Sequence, residues 1–161
     1  MKLGISVIVY NGIEFLEPSL IYLRPFAHYI SLIYSKISCT GQPAAVYLED
    51  LLSDIVKNKI ADEMIEYKNF KPSLNISQMA SIEREKRKIG QQRCKEKGCS
   101  HIIIKDCDEF YDPEQFKILK YYAEQTELTI CHLYDYIGSI FYQAKKITPL
   151  HVPAIYDINC P

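Results

Sequence analysis

Residues 101–111 read HIIIKDCDEFY, and this stretch decides the fold. Three consecutive isoleucines closed by a turn signal are the mark of a strand buried on both faces. Asp106 and Asp108 follow where that strand should end. Open α/β sheets take their ligands in the crevice outside the carboxyl ends of the strands, so two carboxylates here stand where a ligand is expected. Residues i and i+2 of an extended chain point to one side, which predicts that both side chains converge on one point. Two convergent hard oxygen ligands suit Mg²⁺ or Mn²⁺, ions that themselves hold phosphates.

The segments upstream supply a sheet for that strand. Residues 4–10, GISVIVY, are rich in β-branched side chains and stop at Asn11-Gly12, which reads as a first strand and a turn. Residues 14–24 carry Phe15, Leu16, Leu20 and Leu23 at helical spacing, with Pro18 expected in the first turn and Pro25 ending the element. Residues 29–34, YISLIY, are the second strand, completing a βαβ unit. A polar loop, SKISCTGQP, occupies residues 35–43 on the ligand side. A helix is expected over 46–57, a weaker third strand over 62–67, and a loop containing Pro72 over 68–76.

Residues 77–97 predict a long helix with Ser77 as N-cap and Gly98 as its stop. Met79, Ile82, Ile89 and Gly90 fall on one face, but Lys86 and Arg93 fall there too. A buried unpaired cation is costly, so both must reach water, a carboxylate or a ligand. Snorkelling or pairing with a nearby Glu is the reading for Arg93. For Lys86 and its neighbour Arg87 an anionic ligand is an equal alternative. Beyond the central strand, Asp112-Pro113-Glu114-Gln115 is a helix start, with Asp as N-cap, Pro at the first position and Gln completing a capping box. That helix should run to about residue 125, burying Phe116, Leu119 and Ala123. Strands are expected over 128–134 and 139–143, and the last residues, HVPAIYDINCP, end in an extended stretch.

Composition narrows the function classes. At 161 residues the chain can bury one sizeable core. A net charge of −1, with basic residues dense only over 84–97, gives no reason to expect nucleic acid as a partner. The apolar run near the start is too short for a membrane span and meets Asn-Gly at once, so the chain is read as cytoplasmic, with no transmembrane segment. Six cysteines, at 39, 94, 99, 107, 131 and 160, show no CxxC spacing and no paired His at zinc-ligand spacing, and are read as reduced thiols.

Four mechanisms use closely spaced acids after a strand. An EF-hand needs Gly at loop position six; counted from Asp106 that position is Tyr111. The acids of a glycoside hydrolase work across a scissile bond, about 5 to 10 Å apart, which alternating residues of one loop do not span. A phosphatase of the haloacid dehalogenase type uses an Asp pair two apart, but expects Thr or Val where Phe110 stands and expects the motif near the N-terminus. It is the runner-up enzyme. A nucleotide-sugar site needs a carboxylate-held metal to neutralise the departing diphosphate and is the main reading; the bland alternative is that Asp106, Asp108 and Glu109 are solvated loop acids.

At this point the sequence resembles the GT-A glycosyltransferases, specifically glycosyltransferase family 2-like proteins. The resemblance rests on ISVIVYNG with Glu14, SKISCTG, IEREKRKIG, and GCSHIIIKDCDEFYDPEQF with its Asp-x-Asp, in the family's order over residues 1 to about 145. It implies an α/β fold with a Rossmann-like, mostly parallel nucleotide-sugar-binding sheet and helices on both faces. It implies one domain over 1–161, with 1–111 as the nucleotide-sugar core and 112–161 as the start of an acceptor-side region that is truncated. Val9, Tyr10 and Asn11 would line the base and ribose, Lys86 and Arg87 would meet the diphosphate, Asp106 would face ribose and metal, and Asp108 would coordinate the metal, Mn²⁺ or Mg²⁺. The implied reaction is transfer from a nucleoside-diphosphate sugar, a UDP-sugar first, to a hydroxyl of a glycan, lipid or protein acceptor. Two departures stand out. Ser35 and Lys36 occupy the place of an acid often found after strand two, and no catalytic base can be matched, which leaves a donor-binding module without complete catalytic machinery as the alternative.

Overall fold

The computed structural model describes residues 1–68, 70–132 and 151–159. Six strands form one sheet: β1 (Leu3–Val9), β2 (Tyr29–Tyr34), β3 (Glu63–Glu66), β4 (His101–Asp106), β5 (Leu128–His132) and β6 (His151–Asp157). Their order across the sheet is β3-β2-β1-β4-β6-β5. The pairs β1/β2, β1/β4 and β2/β3 are parallel, while β6 runs antiparallel to both β4 and β5. The fold is therefore α/β with a mostly parallel sheet and helices around it, as expected, and the isoleucine run is one of its inner strands. The extended tail is the antiparallel strand β6, inserted beside β4; its partner β5 precedes it in sequence. The expected strand over 139–143 and residues 133–134 of the strand expected over 128–134 lie outside the described residues, and so does Cys160.

Burial explains the composition of β1. All seven of its residues are buried, because helices cover both faces. Leu3, Ile5, Val7 and Val9 join Ile30, Leu32, Tyr34 and Ile103 in one core with α1 (Ile13–Leu23), α2 (Leu48–Lys57) and α4 (Pro113–Ala123). The alternate residues meet α3 (Ile76–Glu96), where Cys94 packs with Cys99, Ile102, Tyr29 and Ile158. The α3 face is built from small residues. A Cβ on Gly90 would lie 1.7 Å from Ser6 Oγ, and one on Gly4 would lie 2.6 Å from Cys94 Sγ.

Three local expectations are corrected. Pro18 sits in the second turn of α1, where it has no N–H to give to the helix ladder. The N-cap of α3 is Asn75, not Ser77: its side chain accepts from the backbone N–H of Ser77 and Gln78 at 3.0 and 3.2 Å. Both residues are good caps, and the earlier one wins because its extended backbone (φ −79°, ψ 120°) lets it reach both donors. Finally, α4 ends at Ala123, two residues short of the expected boundary. Its start matches the sequence signal, with Asp112 accepting from Glu114 and Gln115 N–H at 3.1 and 2.9 Å.

Arg93 takes the carboxylate route expected of it. Its Nε and Nη2 donate to the two oxygens of Glu63 on β3 at 2.8 and 2.7 Å, a fork that binds the helix to the sheet edge. Tyr29 also donates to Glu63. The Arg93 fork holds the Glu63 carboxyl below its ordinary range, against the upward push of burial. A carboxylate with a depressed folded pKa stabilises the fold above the unfolded value, ~4.3, and loses that contribution as pH falls through the folded value. Denaturant unfolding of Glu63→Gln is therefore expected to show a deficit against the parent at pH 6 that closes towards pH 3. A deficit that stays constant with pH would show that Glu63 charge is not involved.

Candidate functional site

The parallel strands bring the ends of β1, β2, β3 and β4 to one edge. Ile8 is in register with Asp106, and Val9 with Tyr34. The order β2-β1-β4 reverses direction between β1 and β4, which makes this the topological switch point of the sheet, the crevice where open α/β folds take ligands. Asn11 and Gly12 after β1 lie there with the acidic turn after β4. Gly12 opens α1 with φ +70°, and a Cβ on it would come within 3.4 Å of both Asp108 Cβ and Cys107 Sγ. Cys107 Sγ donates to the Asn11 carbonyl, fastening the two turns together.

The acidic turn is built differently from the alternating strand that its sequence suggests. β4 stops at Asp106, and Cys107 and Asp108 form a tight turn, so Asp106 and Asp108 do not share a side through strand alternation. The turn closes on itself instead. Glu109 N–H donates to the Asp106 carbonyl at 3.3 Å, and Glu109 Oε2 accepts from the Asp106 N–H at 3.1 Å. Three carboxylates within four residues result. Burial, and then the neighbouring Asp106 charge, push Glu109 up. Burial also pushes Asp106 up, with Asp108 and Glu83 adding to it and Arg87 opposing. Among the described residues no group of three or more His, Cys, Asp or Glu side chains is placed to hold a metal ion.

Of the two basic residues singled out on α3, one reaches this turn. Arg87 Nη2 lies 3.2 Å from Asp106 Oδ1. Lys86 is committed elsewhere: it is 1% exposed, donates to Glu83 Oε1 at 3.0 Å and stands 5.9 Å from the centre of the Phe70 ring. Glu83 also accepts from the Cys39 thiol at 2.9 Å, which fastens the loop after β2 to α3. Burial pushes Glu83 up, but the Cys39 and Lys86 hydrogen bonds outweigh it and hold the carboxyl down. The awkward cation on the helical wheel is thus explained by a partner within its own helix and an aromatic face.

Val9, too, is fully buried in the core, so only its backbone faces the edge. Tyr10 donates to the carbonyls of Gln42 and Pro43 at 2.8 and 3.1 Å, and Asn11 is exposed. Tyr10, Asn11, Arg87, Asp106 and Asp108 therefore line one edge, and the Lys86 ammonium does not join them.

Three contributors escaped the sequence reading. Lys105 is fully buried on the α1 face and donates to Ser19 Oγ at 3.2 Å and to the Asp106 carbonyl at 2.8 Å. Burial pushes its ammonium down to about 8. Strand alternation from Ile103 was the available signal for its inward position. Glu109, which the Asp-x-Asp spacing leaves out, closes the turn on the Asp106 backbone. Glu49, from the first turn of α2, brings a carboxylate to the end of β2, accepting from Tyr34 Oη at 2.9 Å and pairing with Lys36 at 2.7 Å. It places an acid from a helix at the end of strand two, which no local motif reveals.

No family model matches this chain, and no curated protein does. Among solved structures the chain is similar to S. aureus TarS 1-349, a glycosyltransferase, at 11% identity and a TM-score of 0.45. The match covers 81% of this chain and 34% of that one, so the chain spans about a third of that structure's length. A likeness this distant carries no argument about chemistry, which rests on the residues alone. Among the described residues no helix is long and apolar enough to cross a membrane.

Proposed function

We propose that the edge between β1 and β4 binds a nucleoside-diphosphate sugar, a UDP-sugar first, together with Mn²⁺ or Mg²⁺, and that the chain is a glycosyltransferase or the donor-binding part of one. The observation that carries this reading is the acidic turn: Asp106, Asp108 and Glu109 at the switch point, with the Arg87 guanidinium drawn onto Asp106. The donor set fits a hard divalent ion, which takes carboxylate oxygens and fills its remaining positions with water and phosphate. The Arg87 guanidinium resting on Asp106 supports a reading in which a cation is drawn to this turn. Asp106 and Asp108 would hold the ion. When bound, it supplies Lewis-acid neutralisation of the charge that develops on the departing diphosphate.

The chain's own residues do the rest. Arg87 offers a fork of donors suited to phosphate oxygens. Tyr10 Oη ties the turn after β1 to the Gln42-Pro43 loop, fixing the side of the crevice proposed for base and ribose. Lys105 donates to the Asp106 carbonyl and to α1, fixing the backbone from which the carboxylates project. No residue is assigned as the base that would deprotonate an acceptor hydroxyl.

Incubation with UDP-glucose, UDP-galactose and UDP-N-acetylglucosamine plus Mn²⁺, read by release of UDP, tests activity. Metal-dependent release from one of these donors is the expected result. Donor binding without any release would identify a binding module. Phosphate release from p-nitrophenyl phosphate, with no UDP release, would contradict the proposal and favour the phosphatase.

A further inference from the structure

Resting on this donor-binding reading, we infer that Arg87 holds the metal's place on Asp106 in the donor-free protein, and that donor binding transfers its guanidinium from the carboxylate to the diphosphate. Three cations of α3 point towards the sheet, and they differ in how firmly they are held. Lys86 is buried on Glu83 and under Phe70. Arg93 makes a two-pronged fork with Glu63 and a further pair with Glu96. Arg87 has a single 3.2 Å contact with Asp106, and the two side chains are 40% and 47% exposed. A single-pronged pair this open to water is weak and easily exchanged.

The local charge gives the exchange its direction. Asp106, Asp108 and Glu109 gather three carboxylates, and the other nearby ammonium, Lys105, is sealed from solvent and donates to Ser19 Oγ and the Asp106 carbonyl. Arg87 is thus the movable positive charge at the turn. A divalent ion and Arg87 compete for one Asp106 oxygen set, but both are complementary to a diphosphate. Metal alone must displace the arginine without giving it a new partner. Metal arriving with a diphosphate offers that partner, because guanidinium matches phosphate two-pronged. Arg87 therefore opposes metal binding in the absence of nucleotide and favours nucleotide binding in the presence of metal. The two ligands are coupled through one side chain.

The consequence is a pair of effects of opposite sign. Calorimetric titrations with MnCl₂ alone, and with UDP at saturating MnCl₂, are compared for the parent and Arg87→Gln, a substitution that keeps helix propensity and touches a half-exposed position. Arg87→Gln is expected to bind Mn²⁺ alone about 5-fold tighter and UDP about 10-fold weaker, within the usual range of coupling between sites. Arg87→Lys, which keeps the charge and loses the fork, should fall between on the UDP arm. Weaker or unchanged Mn²⁺ binding in Arg87→Gln, with the parent still binding UDP in the presence of Mn²⁺, overturns this inference and leaves the donor site standing. A parent that binds no UDP with Mn²⁺ overturns both.

Discussion

Gly90→Ala is expected to destabilise the fold by about 3 kcal/mol, the upper part of the range for overpacking a close-packed interior. The reason is geometric. The new methyl carbon would sit 1.7 Å from Ser6 Oγ and 2.5 Å from Ser6 Cβ, distances at which something must move. Neither element can yield cheaply. Ser6 lies on β1, buried on both faces and paired with β2 and β4, while α3 is tied to the sheet edge by the Arg93 fork. Ser6→Gly in the same chain removes the obstructing side chain and should recover most of the loss. Equilibrium unfolding of the parent, both single variants and the double variant closes the cycle. A loss in Gly90→Ala that Ser6→Gly does not relieve would mean that α3 does not approach β1 as closely as described. The functional consequence follows from position: Arg87 is one helical turn from Gly90, so lifting α3 off the sheet also lifts the guanidinium from Asp106.

Much of this arrangement is legible in the sequence. The isoleucine run, the β-branched first strand and the YISLIY segment specify the three central strands, because strands covered on both faces must be apolar throughout. The N-cap of α4 is legible for the same local reason, since Asp112 and Pro113 satisfy and pre-set a helix start with no help from elsewhere. What the sequence does not disclose is set by contacts between distant segments. That β6 inserts next to β4, ahead of β5, depends on sheet order. That Lys86 is neutralised by Glu83 and faces the Phe70 ring, while its neighbour Arg87 reaches Asp106, depends on contacts outside the helix's own sequence. The acidic turn shows the limit most clearly. Asp106 and Asp108 were rightly placed at the strand end, but their relation was inferred from an alternation that stops at Asp106. The closing hydrogen bonds of Glu109, which shape the turn, carry no sequence signature.

Asp108→Ala is expected to weaken metal-dependent nucleotide binding by at least ~100-fold, since loss of a supporting contact alone typically costs 10- to 100-fold in metal affinity and Asp108 is proposed as a direct ligand. Stability should hardly change. Asp108 is exposed and makes no ion pair among the described contacts, so its removal takes away a ligand without opening the core. This separates it from Asp106, whose backbone N–H and carbonyl both serve the turn and whose carboxylate pairs with Arg87. A thermal melt of Asp108→Ala without ligand serves as the control. The direct test of the donor site is calorimetric titration of UDP into the parent and Asp108→Ala, each with Mn²⁺ and with the metal chelated. The account predicts binding by the parent that requires Mn²⁺ and is lost in Asp108→Ala; equal UDP binding with and without metal, or undiminished binding by the variant, would contradict it.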